Sequence, residues 1–376
     1  YTVPLTHRTH PDVTPRNAYE QPFVDADHGL LVTGALIIHP RAAVDEITVR
    51  LVGPDGWDFV APWPRRGDGT YAPRDLASLC NDLIAAGRWH VRRIDVDGFD
   101  ATVALAAGQD ELATAVVGVI ERIVRHELAL FGVPPAGEYL FLFGPPLERS
   151  MAGSPKTNSM ILAVDPALVR QSPEHLAHLV AHEFFHTWAH GRVVMPDELR
   201  WLNEGITDYY AYLVAARLEL ITWERFAEVL GERLAAVATN PRAGTLALTG
   251  AGGPVFFSDR QAGELVYAGG LVVGAWLDRA IRAAGRGQTL AAVVALVERF
   301  ASAEGAGELR AAVTRPGGPD GPAVLERVGV PVRRTTEPAG RGLRANFDGV
   351  RVLDIDPASP AYAVGLRSGD RLSAVN

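Results

Sequence analysis

The sequence is poor in cysteine, and this narrows the kinds of site that it can build. Of its 376 residues only Cys80 is a cysteine, which excludes an intramolecular disulfide and a zinc site made of thiolates. Any metal bound by this chain has to be held by histidine and carboxylate side chains. A chain with so few thiols is compatible with an oxidising or a reducing compartment.

Long apolar runs and an excess of positive charge are also absent. The longest apolar run covers 13 residues, 265–277, whereas a membrane-spanning helix needs about 20. The chain carries 36 basic and 44 acidic residues, a formal net charge of −8, which argues against binding to nucleic acid or to anionic membranes. We therefore expect no membrane span and no nucleic-acid partner, and the oligomeric state stays open.

The two ends of the sequence predict that it is part of a longer protein. It begins at Tyr1 rather than at a methionine, and it stops at Asn376 within a strand pattern. The compartment stays open as well. We expect a periplasmic or secreted protein if a leader has been removed, and a cytoplasmic one otherwise.

Three regions with different hydrophobic periodicity follow one another along the chain. Short alternating runs between turn dipeptides fill residues 1–100 and predict a β-rich domain. Helical spacing dominates residues 101–332, with strands expected at 139–143 and 160–164. Alternation returns at 350–355, after a linker at 333–340. We predict an α+β multidomain protein with domains at 1–100, 101–332 and 341–376.

The main chemical motif is HEFFH at residues 182–186, inside an apolar helical pattern. Residues four apart on a helix share a face, so His182 and His186 can present two imidazole nitrogens to one metal ion while Glu183 lies beside it. A further acidic residue, Glu204, follows 18 positions after His186 in a second helical pattern. Two histidines and a carboxylate leave one tetrahedral position of zinc open, which is typical of a catalytic site. The motif predicts bound Zn²⁺.

Two nearby residues extend the same helix faces. Asp208 comes four residues after Glu204 and can accept the remaining N–H of a ligand histidine, which fixes its tautomer. His190 continues the face of His186, and we expect it to be structural or to line the cleft. The alternatives are a solvent-exposed aspartate and, for the whole motif, a core helix with two hydrogen-bonded histidines.

These motifs resemble those of the gluzincin metallopeptidases, and more closely those of the glycyl aminopeptidase family that carries a C-terminal PDZ domain. The resemblance rests on HEFFHTW at 182–188, WLNEGITDYY at 201–210, YAGG at 267–270 and LD at 277–278. It also rests on the order of the parts, because the glycine-containing turns at 365–370 resemble the first half of a bacterial PDZ domain. The alternative for this last unit is a plain β-hairpin.

The resemblance implies a zinc-dependent peptidase with a thermolysin-like, mainly helical catalytic domain, and most specifically an aminopeptidase for small N-terminal residues. His182, His186 and Glu204 would hold the zinc, and Glu183 would act as general base. Tyr267 would donate a hydrogen bond to the oxyanion of the tetrahedral intermediate, the alternative being a core tyrosine. The expected substrates are peptides or proteins, and the PDZ unit would bind a peptide C-terminus.

One segment departs from the family pattern. Members of the family have a Gly-Gly-Leu-Glu-His segment beside the cleft, whose glutamate holds the free amine of the substrate. The corresponding stretch here, 152–159, contains Lys156 and no acidic residue, and a lysine repels an ammonium group. Asp259 or Glu264 could supply the missing carboxylate. Without a replacement, we expect free and N-acetylated peptides to differ in kcat/KM by less than about tenfold.

Two other functions stay open at the level of the sequence. A zinc endopeptidase would use the same residues without capturing an amine. A binding protein without activity would keep the metal as a structural element and act through its PDZ unit, but a structural site has no use for Glu183.

Overall fold

Strands dominate the first part of the chain and helices the part after residue 164, among the residues that the computed structural model describes. The described residues are 5, 18–39, 44–106, 109, 112–132, 138–144, 151–192, 196–283, 313–316, 318, 320–327, 331–333, 345–348, 351–355, 362, 365–367 and 370–371. The chain divides into two compact units, Tyr1–Gly329 and Val330–Asn376. Each unit is described by itself.

Nine strands and ten helices of the first unit fall within its described residues. The strands are β1 (Phe23–Val24), β2 (His28–Val32), β3 (Asp58–Val60), β4 (Leu83–Gly87), β5 (His90–Val96), β6 (Phe99–Leu105), β7 (Glu138–Phe143), β8 (Met151–Pro155) and β9 (Ser159–Val164). The helices are α1 (Thr33–Leu36), α2 (Leu76–Cys80), α3 (Ala113–Phe131), α4 (Pro166–Gln171), α5 (Pro173–Arg192), α6 (Thr207–Arg217), α7 (Trp223–Thr239), α8 (Pro254–Ser258), α9 (Arg260–Ala283) and α10 (Gly321–Arg327). A π-helical turn, Trp201–Ile206, directly precedes α6, and short 3-10 turns lie at Ala18–Glu20, Asp197–Leu199 and Leu248–Gly250.

The strands form two sheets. The first sheet is antiparallel and has the order β1-β2-β4-β3. The second has the order β5-β6-β7-β9-β8, in which β6, β7 and β9 are parallel and the outer strands are antiparallel to their neighbours. β9 is buried along its whole length, as expected of a strand covered on both faces of a sheet. β8, in contrast, lies at the edge of the five strands.

Helix α5 packs between this sheet and the other helices. Phe184 contacts Tyr139 and Phe141 of β7, with ring centroids 5.2 and 5.5 Å apart. One residue further, Phe185 packs edge-on against Phe131 of α3 at 5.1 Å. Aromatic contacts from two neighbouring positions, about 100° apart around α5, therefore fix its rotation about its own axis. Among the described residues, no helix has both the length and the apolar character that crossing a membrane requires.

Several expectations from the sequence can be compared with these elements. The mixed helix and sheet composition confirms the α+β expectation, and the strands predicted at 139–143 and 160–164 are confirmed as parts of β7 and β9. The expected boundary at residue 100 falls inside β6, which pairs with β5 on one side and β7 on the other. The hairpin β5–β6 thus belongs to the same sheet as β8. The division into three domains stays a prediction.

The second unit contains an antiparallel hairpin, β10 (Ala345–Asp348) and β11 (Arg351–Ile355), with a register shift between Asn346 and Phe347. This confirms the strand expected at 350–355. The linker expected at 333–340 lies outside the described residues apart from Arg333. The PDZ assignment stays a prediction.

A buried carboxylate, Asp82, joins the first sheet to the turn between β8 and β9. Its Oδ1 accepts from the backbone N–H of Asn158 at 2.7 Å and from Ser159 Oγ at 2.8 Å. Its Oδ2 accepts from Trp63 Nε1 at 3.0 Å and from Asn158 Nδ2 at 2.9 Å. Burial raises the pKa of Asp82 to about 6 in spite of these donors. Because the folded chain then binds this proton more tightly than the unfolded chain, the contribution of Asp82 to stability falls as the pH rises from about 4 to about 6.

We expect Asp82→Ala to lower the free energy of unfolding at pH 7 by at least about 2 kcal/mol, because the buried donors of Trp63, Asn158 and Ser159 lose their acceptor. Urea unfolding measures this change. The control is Asp75→Ala, which removes a half-buried helix cap at the start of α2, where Asp75 accepts a hydrogen bond from Ser78 N at 2.8 Å. This variant should lower the free energy of unfolding by only about 1 kcal/mol. Equal losses in the two variants would contradict the role given to Asp82.

Candidate metal centre and active site

Two histidines of α5 point at one place. The helix begins at Pro173 and buries its apolar face, so His182 and His186, one turn apart, emerge on the face turned towards α6 and α9. Both are buried, and their Nε2 atoms lie only 3.2 Å apart. Two imidazole nitrogens at this separation are in hydrogen-bond contact or face a common ligand.

The carboxylate of Glu204 completes the group. Its Oε2 lies 3.7 Å from His182 Nε2 and 3.8 Å from His186 Nε2. The smallest distance at which one point is equally far from all three atoms is about 2.1 Å, which matches zinc–nitrogen and zinc–oxygen bond lengths. The other oxygen, Oε1, accepts from Asn203 Nδ2 at 3.1 Å. The residues predicted to hold zinc therefore converge and fit the ion in both ligand type and spacing.

A pair of glycines allows α9 to approach the π-helical turn that carries Glu204. A Cβ on Gly205 would collide with the Cα of Gly270, and a Cβ on Gly270 would collide with the backbone carbonyl of Trp201. The close contact brings Tyr267 of α9 to the metal centre, where its Oη donates to Glu204 Oε2 at 3.0 Å. The structure thus places Tyr267 at the predicted site, while its role in catalysis stays a prediction.

Asp208 lies behind His182, on the side away from the other ligands. Its Oδ1 is 3.5 Å from His182 Nδ1, at the outer limit of a hydrogen bond, and 2.7 Å from His178 Nε2. The residue is 3% exposed, so the alternative of a solvent-exposed aspartate is wrong. The side chain of His190 lies outside the described part of the chain.

Glu183 is buried against the edge strand β8. A Cβ on Gly153 would lie 2.6 Å from Glu183 Oε1, so only glycine leaves room for this carboxyl group. Its Oε2 has no hydrogen-bond partner among the described residues. Burial raises the pKa of Glu183 to about 7, against the opposing positive charge of His182. A carboxyl group in this state is suited to exchanging a proton near neutral pH.

A second carboxylate reaches the same region from the start of the chain. Tyr19 Oη lies 2.8 Å from Glu20 Oε1 and 2.9 Å from the backbone carbonyl of Gly153, so the hydroxyl, which can donate its one proton to either acceptor, lies between Glu20 and the strand that covers Glu183. The negative charge of Glu20 contributes to the raised pKa of Glu183. Sequence reasoning missed Glu20, because it lies in a short irregular segment with no motif around it.

The two acidic residues suggested by the sequence have other partners. Asp259 forms an ion pair with Arg242, with 2.6 Å between Oδ2 and Nη2. Glu264 is exposed, and its Oε2 lies 3.4 Å from Asn240 Nδ2. Neither contact joins these residues to the metal centre, whereas Glu20 is connected to it through Gly153.

Comparisons with known proteins agree with this geometry. Residues 153–243 match the peptidase family M1 domain, a range that includes His182, Glu183, His186 and Glu204. The chain is a metallopeptidase. The fold resembles the crystal structure of an aminopeptidase N family protein from Idiomarina loihiensis, with a TM-score of 0.71 and 18% sequence identity, over 94% of this chain and 73% of that one. No curated protein sequence matches.

These matches support the broader resemblance to the gluzincin metallopeptidases. The narrower resemblance, to the glycyl aminopeptidase family with a PDZ domain, stays a prediction. At 18% identity the similarity to the solved structure concerns the fold, so the residue roles at the metallopeptidase site rest on the distances within it.

We expect His186→Ala to abolish stoichiometric zinc binding, because two protein ligands hold zinc far more weakly than three. Elemental analysis after dialysis gives the occupancy. The matched control is His175→Ala, at the start of α5 and outside the metal centre, which should keep about one zinc per chain. Full occupancy in His186→Ala would contradict the ligand set.

Proposed function

We propose that this metallopeptidase is a zinc-dependent aminopeptidase that removes small N-terminal residues from peptides. The observation that carries the proposal is the pairing of a three-ligand group with an adjacent buried acid. His182, His186 and Glu204 converge within bonding distance of one point, and Glu183 follows His182 directly in sequence. The preference for small residues is the part that follows from the family resemblance.

The residues around the site have different roles in peptide hydrolysis. Zinc, when bound, polarises the scissile carbonyl and makes water more acidic. Glu183 accepts the proton of the attacking water and later delivers it to the leaving amine. Tyr267 lies at the metal centre with a hydroxyl that can donate to the negative oxygen formed in the transition state.

Glu20 supports the exopeptidase form of the activity. An aminopeptidase recognises the chain end by pairing its ammonium group with a carboxylate, and a buried site without that partner rejects the charge. β8 supplies no carboxylate, but Glu20 lies beside it through the Tyr19 contact with Gly153. Lys156 is occupied in part by Ser154, whose Oγ accepts from Nζ at 3.0 Å. We assign amine capture to Glu20.

We expect Glu183→Gln to keep zinc but to lower kcat by about 1000-fold or more, because an amide has the same shape and cannot accept the proton. The measurements are zinc content and hydrolysis of aminoacyl p-nitroanilides with small side chains. A variant that keeps both zinc and turnover would place the general base elsewhere. A wild-type protein that binds zinc and hydrolyses none of a broad peptide panel would instead favour a binding protein.

We expect wild-type enzyme to prefer free over N-acetylated peptides by more than tenfold in kcat/KM, and Glu20→Gln to reduce the ratio below about tenfold, because the ammonium loses its partner. Glu264→Gln is the control and should leave the ratio unchanged. Equal rates on both substrates in the wild type would favour the endopeptidase alternative.

A further inference from the structure

Four side chains behind the metal ligands form a connected group, which we name the Asp208 cluster. It consists of His178 from α5, Asp208 and Tyr212 from α6, and Arg233 from α7. Arg233 Nη2 lies 3.3 Å from Asp208 Oδ2, and His178 Nε2 lies 2.7 Å from Oδ1. The ring of Tyr212 stacks on that of His178, with centroids 4.0 Å apart. None of these residues is needed to bind substrate in the proposed reaction.

Each oxygen of Asp208 has a distinct neighbour. Oδ1 lies between two imidazoles, His178 at 2.7 Å and the ligand His182 at 3.5 Å. Oδ2 faces the guanidinium of Arg233. A carboxylate held at both oxygens cannot rotate without breaking an ion pair, and a buried charge that loses its partner is strongly destabilised. Arg233 therefore restricts the orientation in which Asp208 meets His182.

A second metal ion does not suit this cluster. His178, His182 and Asp208 do offer three candidate ligand atoms within 4.8 Å of one another. A cation among them would lie next to the guanidinium of Arg233, which already supplies the positive charge beside Asp208. His182 also directs its Nε2 to His186 and Glu204. The arrangement fits support of one metal centre rather than a second one.

We propose that Arg233 is a positioning residue of the metal centre, which acts through Asp208 to fix the ring of His182. Partners of this kind behind a ligand histidine set its tautomer and orientation, and their removal typically weakens metal binding by 10- to 100-fold. Arg233 follows Glu204 by 29 positions in the sequence and has no motif of its own. The inference rests on the proposed zinc site, and its test separates the two.

The test is zinc affinity, measured by competition with a chromophoric chelator for wild type, Arg233→Gln and Arg225→Gln. Both arginines belong to α7, but Arg225 is half-buried and its ion pairs among the described residues are with the exposed acids Glu228, at 3.2 Å, and Glu232, at 2.9 Å. We expect Arg233→Gln to bind zinc 10- to 100-fold more weakly and Arg225→Gln to match the wild type. Arg233→Lys, which keeps the charge, should recover part of the affinity, and it replaces the glutamine variant if that one does not fold.

A double-mutant cycle with Asp208→Asn tests whether Arg233 acts through Asp208. In the Asp208→Asn background, Arg233→Gln should cause little further loss of zinc affinity. Unchanged affinity in the Arg233 variants, with a lower unfolding temperature of the metal-free protein, would reduce Arg233 to a structural residue and overturn the inference alone. A wild-type protein that binds no zinc would overturn both the inference and the proposed function.

Discussion

The pairing of buried charges between α5 and the segment that begins at the π-helical turn is the constraint on which the rest of the site depends. The histidines of α5, in the order His178, His182 and His186, pair with acids that occur in the reverse order along the other segment. His178 contacts Asp208, His182 lies between Asp208 and Glu204, and His186 contacts Glu204. The histidines are four residues apart on their helix, and so are the two acids on theirs. Two antiparallel helical segments therefore bring them together as a regular series of pairs. Removing one side chain of a pair leaves a buried charge without its partner.

These pairs give different pKa values to two carboxyl groups that lie close together, Glu204 and Glu183. Burial opposes ionisation of Glu204, but the nearby imidazoles of His182 and His186 and the hydrogen bond from Tyr267 lower its pKa to about 2. Glu183 is more deeply buried and lacks such partners, so burial raises its pKa to about 7. One carboxyl group therefore stays ionised to hold a cation, while its neighbour can exchange a proton. Opposite shifts in neighbouring acids are a common mark of divided roles in catalysis.

The sequence predicts those parts of the site that depend on local spacing. Helical periodicity places His182, Glu183 and His186 on one helix and Glu204 with Asp208 on another, and the structure brings both sets together. Sequence reasoning misses Glu20 and Arg233, because each reaches the site through a contact between distant segments. Tyr19 and Gly153, for example, are 134 positions apart. His178 could have been found, since it continues the same four-residue spacing one turn before His182.

In the fold, too, the sequence predicts the features that depend on local periodicity and misses those that depend on contacts between distant segments. The apolar runs that become β7 and β9 are visible as strands, and the helical pattern before Gly132 becomes α3. The boundary expected at residue 100 does not coincide with a sheet boundary, because β6 pairs across it with β7. Strand pairing between segments more than 30 residues apart leaves no periodic pattern in the sequence, so the alternating run alone places β5 and β6 with the first sheet.

The π-helical turn Trp201–Ile206 limits how the length of this chain can change. Each residue of an α-helix turns the chain by about 100°, so losing or gaining one residue between Glu204 and Asp208 would rotate one acid away from α5 while the other stays in place. Gly205, between them, is also fixed by its contact with Gly270. Most residues of α6 are also buried, so single-residue insertions and deletions in this stretch are incompatible with a working site.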